Sequence, residues 1–355
     1  MHTQRKGGGA AWRAAFIAGV LLTLAFIQAC GSANNGGNSN AAASGSGNGN
    51  QAKAAAAEPA GDVPAVLNYG YIGTNKLNLP GGAEGWGFYK GIIQEELKKH
   101  GITEVKLTGF PNGPDQSESL ISGRLDMGSL GDTPAILARA SGAKTRLITQ
   151  GATDSIGYLI GKKDGPKTLQ ELKGKTVAIQ KGSFMHRYVA GLVKTEGIED
   201  VKFVHMLRPD GEAALARGDV DAMTNNGVFA LKLLDAGYVH LDDATKHPEL
   251  YGTSATVVSE DYLAKFPDFP KVWNAARLKA IEDLKQHEEE YYAFIAEQQG
   301  TTVELVKKAS PISYIKDVPF TEPGLKLLDG TKSFLVDEKL AKKDFKLDDW
   351  VLKSE

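Results

Sequence analysis

Cysteine is nearly absent: the 355-residue chain contains one. A disulfide within one chain needs two and a thiolate metal site usually more, so both are excluded. The seven histidines, at positions 2, 100, 186, 205, 240, 247 and 287, show no metal-ligand spacing. No GxSxG elbow, HExxH helix or phosphate-cradling loop occurs. These absences lead us to expect no metal, no cofactor and no enzymatic activity. Excess charge is missing as well. The 41 basic and 43 acidic residues nearly cancel, and a chain without a basic excess is not expected to bind nucleic acid. Past residue 27 no apolar run reaches the ~20 residues that a membrane span needs.

What is present begins with the N-terminus. Arg5, Lys6 and Arg13 precede an apolar run from Ala14 to Ile27, and Ile27-Gln28-Ala29-Cys30 closes it. A charged start, a short apolar core and a small residue before the break define an export signal. The tetrapeptide resembles a bacterial lipobox, which implies cleavage before Cys30 and a lipid, palmitate included, on the mature N-terminus. Gln28 stands where a small residue is more usual. An ordinary signal peptide with an incidental cysteine is the other reading. Residues 1–29 are thus expected to be a signal peptide. Residues 30–62 are almost all Gly, Asn, Ser and Ala, with no large apolar residue before Val63. Such a stretch buries too little surface to offset its ordering entropy, so a disordered tether is expected. Without the three basic residues of the signal, 38 basic residues face 43 acidic ones. The mature chain is therefore net acidic.

The remaining residues, about 290, suffice for two lobes with separate cores. Within them Pro114–Gly142 and Pro209–Gly237 read as two copies of one pattern. Pro114/Pro209, Asp115/Asp210, Leu120/Leu215, Gly123/Gly218, Asp126/Asp221, Ala135/Ala230 and Gly142/Gly237 match without a gap. Each copy reads as helix, glycine stop, short strand, loop, helix, glycine stop, with Asp115 and Asp210 suited to N-caps. The shared spacing predicts two similar lobes, each aiming a strand-to-helix loop at a common crevice.

Strands are expected at Val66–Ile72, Val105–Phe110, Arg146–Ala152, Tyr158–Gly161, Thr176–Gln180, Val201–Met206 and Ala255–Val258, the last returning to the first lobe. Apolar spacing predicts one helix from Trp86 to Lys99 stopped by Gly101, a short helix capped by Thr168 and another capped by Ser183. Mostly amphipathic helix follows Tyr262. This alternation implies an α/β fold with mixed, largely parallel sheets flanked by helices.

Gly131-Asp132-Thr133-Pro134, the run Gly174–Ser183 and the run Ala213–Ala222 occur in that order. From about Asn68 to Asp261 the chain resembles the nitrate/sulfonate/taurine class of solute-binding proteins of ABC importers. The resemblance implies a two-lobed, periplasmic-binding-protein-like fold of type II. Its cleft closes over a small organic anion, and an ABC permease with its ATPase are the partners. The expected protein is an extracytoplasmic, lipid-anchored monomer. We place lobe I at 63–157 plus 259–355 and lobe II at 158–258. Where the family often has a tryptophan-proline segment, this chain has Met223-Thr224-Asn225-Asn226-Gly227-Val228. An aliphatic sulfonate is the expected ligand, with nitrate, taurine and a pyrimidine precursor as alternatives. An enzyme of the same fold and a sensory lipoprotein are the competing functions.

An oxyanion in a crevice needs donors, and helix N-termini supply unpaired N–H groups and partial positive charge. Four loops offer them. Gly131-Asp132-Thr133-Pro134 is expected to place proline at the first helical position. Gly182-Ser183 opens the Phe184 helix, Asn225-Asn226-Gly227 the Val228 helix, and Gly81–Gly85 the Trp86 helix. Thr74 and Asn75 follow the first strand and add side-chain donors. Each polar residue can equally serve only as a cap. Asp132 suits a cap better than an anion contact, since its charge repels the ligand. Trp86 and Phe184 can wall in an organic tail or anchor their own helices. Arg208 can pair with an anion or sit solvated, and His186 can donate to a ligand or be satisfied internally. No arginine lies within the expected donor loops, so a site of mainly neutral donors is predicted.

Overall fold

The computed structural model describes residues 63–353. The export signal, Cys30 and the tether lie outside the described residues. The chain first runs β1 (Val66–Ile72), α1 (Gly82–Tyr89), α2 (Ile92–Lys98), β2 (Glu104–Phe110), α3 (Gly113–Ile121), β3 (Met127–Gly131), α4 (Asp132–Ala140) and β4 (Thr145–Thr149). It continues through β5 (Gly157–Gly161), β6 (Thr176–Ile179), α5 (Phe184–Thr195), β7 (Lys202–His205), α6 (Arg208–Arg217), β8 (Ala222–Asn226), α7 (Gly227–Asp235) and β9 (Val239–Asp243). Then β10 (Ser254–Ser259) leads into α8 (Glu260–Lys265), α9 (Phe269–Gln286), α10 (Glu288–Gln299), α11 (Val303–Ala309) and α12 (Glu322–Asp337).

These strands form two five-stranded sheets of identical plan, β2-β1-β3-β10-β4 and β7-β6-β8-β5-β9. In each, the first three strands are parallel. The fourth, β10 or β5, is antiparallel to both neighbours. That fourth strand is the one by which the chain enters from the other sheet, so it runs against the strands beside it. The two copies of the repeated pattern put β3 and β8 at the centre of different sheets, each followed by a helix, α4 or α7.

Successive strand residues face opposite sides of a sheet, and both sides are covered. Tyr69 and Met127 pack with Trp273 of α9 on one side of the first sheet. Leu130, Leu147 and Ala255 pack with Ile136, Leu328 and Trp350 on the other. In the second sheet Leu159 and Val177 face Tyr188 and Leu192 of α5. Their neighbours Ile160 and Ala178 face Leu215 and Ala230.

Several local expectations change. The single helix expected over Trp86–Lys99 is two, α1 and α2, separated at Gly91, whose φ of 78° is left-handed. The apolar period survives the break because both helices bury residues against α9, which hides the interruption from a pattern search. Asp115 and Asp210 are not N-caps. Asn112 caps α3 by accepting from the Asp115 N–H at 2.8 Å, and Leu207 precedes α6 with no side-chain cap. The two aspartates instead occupy the first turn of each helix, where the positive end of the dipole favours them. Pro134 is third in α4, not first; its missing N–H is still among those a helix start leaves free. The segment after Thr168 forms only a short 3₁₀ turn, Gln170–Leu172, with Leu169 in the cap position. Gly123, Gly142, Gly218 and Gly237 all hold the positive φ expected of glycine stops.

Candidate functional site

Two stretches connect the sheets, residues 150–156 and residues 244–253. They run side by side, with Ser155 and Gly252 exchanging backbone hydrogen bonds at 3.0 and 2.9 Å. Three helix starts meet this crossing. The Asp132 N–H at the start of α4 donates to the Thr253 carbonyl at 2.9 Å, and the Thr253 N–H returns 2.9 Å to Asp132 Oδ2. Asp132 Oδ1 accepts from the Thr133 N–H and hydroxyl. At α5, Phe184 lies directly against Gly252. At α7, Asn226 pairs with Gly157, the first residue after the crossing.

Ser183 caps α5, accepting from the His186 N–H at 3.3 Å, and its hydroxyl donates to the Gln180 carbonyl at 2.7 Å. Gly182 holds φ at +79° and lies against Pro114 of α3, so the α5 start touches the first sheet's helices. His186 accepts from the Gly182 N–H at 3.3 Å. Burial, aided by the Lys181 charge, holds its imidazole below the ordinary value. Its ring is thus committed to the helix start. Asn225 is buried and donates to Glu212 at 3.1 Å while accepting from the Asn226 N–H at 2.9 Å. Asn226 itself occupies the N-cap position of α7 without a side-chain cap bond.

Other expected residues lie elsewhere. Thr74 and Asn75 border a groove of about 580 Å³ shared with Glu297–Gly300. The Asn75 side chain closes its own turn, bonding the Leu79 carbonyl and the Leu77 N–H. Trp86 is fully buried, its Nε1 donating 2.7 Å to Asp283, with Tyr291 and Phe294 edge-on to its ring. That ring belongs to the core. Arg208 pairs with Glu212 at 3.4 Å and stacks 3.6 Å over Phe229.

Sequence reasoning missed Arg187. It stands four residues past Ser183 on the same helical face, a spacing that was available as a signal. Only 2% exposed, it donates to the carbonyls of Glu249, Leu250 and Tyr251, while its Nε makes no hydrogen bond. Burial lowers its affinity for the proton, and the charges of Asp132 and Glu249 oppose that effect. Tyr158, Tyr251 and Tyr314 were missed too. They lie within electrostatic reach of one another, and burial raises the Tyr158 and Tyr251 phenols. Their distant sequence positions carry no common pattern. Among the described residues no cluster of His, Cys, Asp or Glu is placed to hold a metal.

The NMT1/THI5-like family pattern matches residues 86–291, more than half of the chain. The chain belongs to the NMT1/THI5-like family. An Escherichia coli (strain K12) relative named as an aliphatic sulfonates-binding protein is 31% identical over 172 residues, 45% of this chain and 54% of that protein. A Bacillus subtilis (strain 168) protein of the same name is 27% identical over 239 residues, 64% of this chain and 70% of that one. The chain thus spans about half the length of the first relative and somewhat over two thirds of the second. In fold it is similar to the alkanesulfonate-binding protein SsuA from Xanthomonas axonopodis pv. citri bound to MOPS. The TM-score is 0.68 at 21% identity, over 82% of this chain and 99% of that one. The desulfurization enzyme DSZB is also similar, with a TM-score of 0.62 at 18% identity, over 81% of this chain and 96% of that chain. The fold therefore serves binding and catalysis alike.

Proposed function

We propose that this protein is an extracytoplasmic solute-binding protein that captures a small organic anion, an aliphatic sulfonate, and delivers it to an ABC permease and its ATPase. The observation that carries this reading is the convergence of three helix N-termini, α4, α5 and α7, on the crossing between the two sheets. Each start directs partial positive charge toward its end, the arrangement that oxyanions favour. The names of the two relatives supply the sulfonate. In this reading lobe I is built on the first sheet, β10 (Ser254–Ser259) included, and lobe II on the second, which begins at Gly157, so the expected boundaries at 157/158 and 258/259 shift to the strand ends. A ligand touching both lobes only when they close shifts an open–closed equilibrium toward the closed form. The proposed donors are the Phe184 N–H and the Asn226 side chain, and the N–H groups of Asp132, Thr133 and Gly182 and the Ser183 hydroxyl join them only by exchanging their present partners; Thr74 borders a different groove.

The test is a thermal-shift series with ethanesulfonate, taurine, nitrate and a thiamine-type pyrimidine. A ligand at a hundred times its Kd adds about 2.7 kcal/mol to the folded state. We expect the sulfonates to raise the midpoint most. A rise with the pyrimidine alone, or with none of the four, refutes the assignment. Cys30 becomes the lipid-bearing N-terminus in this reading. Intact-mass measurement of membrane-extracted protein checks it, and a soluble, unlipidated native product overturns it.

A further inference from the structure

Two arginines are equally buried, each 2% exposed, and they are satisfied differently. Arg277 donates to Glu84 at 2.9 Å and to the carbonyls of Gly151 and Lys316. A carboxylate in contact answers its charge. Arg187 bonds only neutral carbonyls, at Glu249, Leu250 and Tyr251, and its Nε–H has no acceptor. Asp132 and Glu249 act on it through their fields and not through contact. Both Asp132 oxygens are already occupied by Thr133 and Thr253. A buried charge without a contacting counter-ion is expensive, and a spare donor on it raises the expense.

We propose that Arg187 is a ligand-binding residue, its guanidinium supplying the contacting positive charge for the anionic head of the bound solute. The inference rests on the anion-binding reading above and deepens it. Arg187 lies in the first turn of α5, so its charge adds to that of the helix start capped by Ser183. Its two terminal nitrogens grip the second connecting stretch at Glu249–Tyr251. The charge is thereby fixed to the backbone that joins the sheets. Loop composition alone suggested mainly neutral donors; in this proposal a tetrahedral oxyanion meets the α5 start and one fixed cation.

The test uses the full chain and two probes of similar shape, ethanesulfonate and the neutral ethanesulfonamide, titrated calorimetrically. A hydrogen bond to a charged group is worth ~1.5–3 kcal/mol, about 10- to 150-fold. Wild type should prefer the anion by a ratio in that range. Arg187→Gln should bring the ratio to within about threefold of unity while sulfonamide affinity is held, and Arg187→Lys should recover part of the preference. A purely structural arginine predicts the reverse, a lower unliganded midpoint with the anion-to-neutral ratio unchanged, and that result overturns the proposal. The wild-type Nε–H resonance of Arg187 gives a readout that needs no variant to fold. It should move on saturation with ethanesulfonate, and its failure to move also overturns the proposal. Absence of wild-type binding to both ethanesulfonate and nitrate removes the anion-binding reading itself. Wild-type binding with an unaltered ratio in Arg187→Gln removes only the role of Arg187.

Discussion

Asp132 is the residue at which stability and affinity should move in opposite directions. Its side chain is fully buried and accepts from the backbone N–H groups of Thr133 and Thr253 and from both threonine hydroxyls. Asp132→Ala leaves two backbone donors without an acceptor in a dry site. The hydroxyls can rotate, and Thr253 Oγ1 keeps the 3.1 Å bond that it accepts from Gln150 Nε2. At ~1–3 kcal/mol for each orphaned donor, the loss is about 2–6 kcal/mol. For a body of this size that lowers the melting midpoint by roughly 3–10 °C. Asp132→Asn keeps one acceptor and turns an N–H₂ toward the other donor, so about half that loss is expected. The same isosteric change deletes a negative charge that acts on Arg187. Toward an anion bound at Arg187 the same carboxylate is repulsive, by on the order of 1 kcal/mol at an effective dielectric between protein and water. Ethanesulfonate should therefore bind Asp132→Asn as well as wild type or up to about fivefold more tightly. Urea unfolding and calorimetric titration of one preparation give both numbers. An unfolding midpoint unchanged in Asp132→Ala refutes a stabilising role for the bonds between Asp132 and Thr253. Tenfold weaker anion binding in Asp132→Asn refutes the view that this carboxylate opposes the ligand.

Asn226 has no side-chain cap bond, unlike the committed Asn225; Asn226→Asp should weaken anion binding more than Asn226→Ala, because repulsion is added to a lost donor. Equal, near-wild-type affinities in the two titrations would remove Asn226 from the site. Trp86→Ala should destabilise by about 3–5 kcal/mol in urea while ethanesulfonate affinity stays within about twofold, since the ring fills core; a large affinity loss in folded protein would place the ring at the ligand. His186 titrates below its ordinary 6.5 in the folded state, so the unfolded chain takes up the proton first. Its contribution to stability is present above about pH 6.5 and lost as pH falls below it. His186→Asn should flatten the fall in melting midpoint between about pH 7.5 and 5.5, and an unchanged slope would contradict the assignment.

Much of the architecture was legible from local chemistry. β1 coincides with its apolar run, Val66–Ile72, because alternating and continuous apolar residues report burial within the segment itself. The glycines at 123, 142, 218 and 237 marked helix ends because a left-handed residue there disfavours any side chain. The ungapped match between Pro114–Gly142 and Pro209–Gly237 anticipated two sheets of one plan, with β3 and β8 in corresponding places. The α5 start at Phe184 was readable from Gly182 and the Ser183 cap, whereas α4 starts two residues before the expected Pro134 and α7 one residue before Val228.

Other properties depend on residues far apart in the chain. That three helix starts share one crossing follows from the Ser155–Gly252 pairing and from Thr253 reaching back to Asp132 across 121 positions. No local period encodes such distances. Trp86 stands in an ordinary helical phase, and only α10 decides that its ring is walled in by Tyr291 and Phe294. Gly91 breaks a helix whose period continues because α9 packs along both halves. An arginine's type implies water, yet Arg187 is buried because three carbonyls of a distant stretch replace its hydration. Composition, caps and periodicity thus determined which elements form and where they end, for each is decided within a few residues. Only tertiary structure decided which charges lose water and which ends meet, because desolvation depends on what the rest of the chain places alongside.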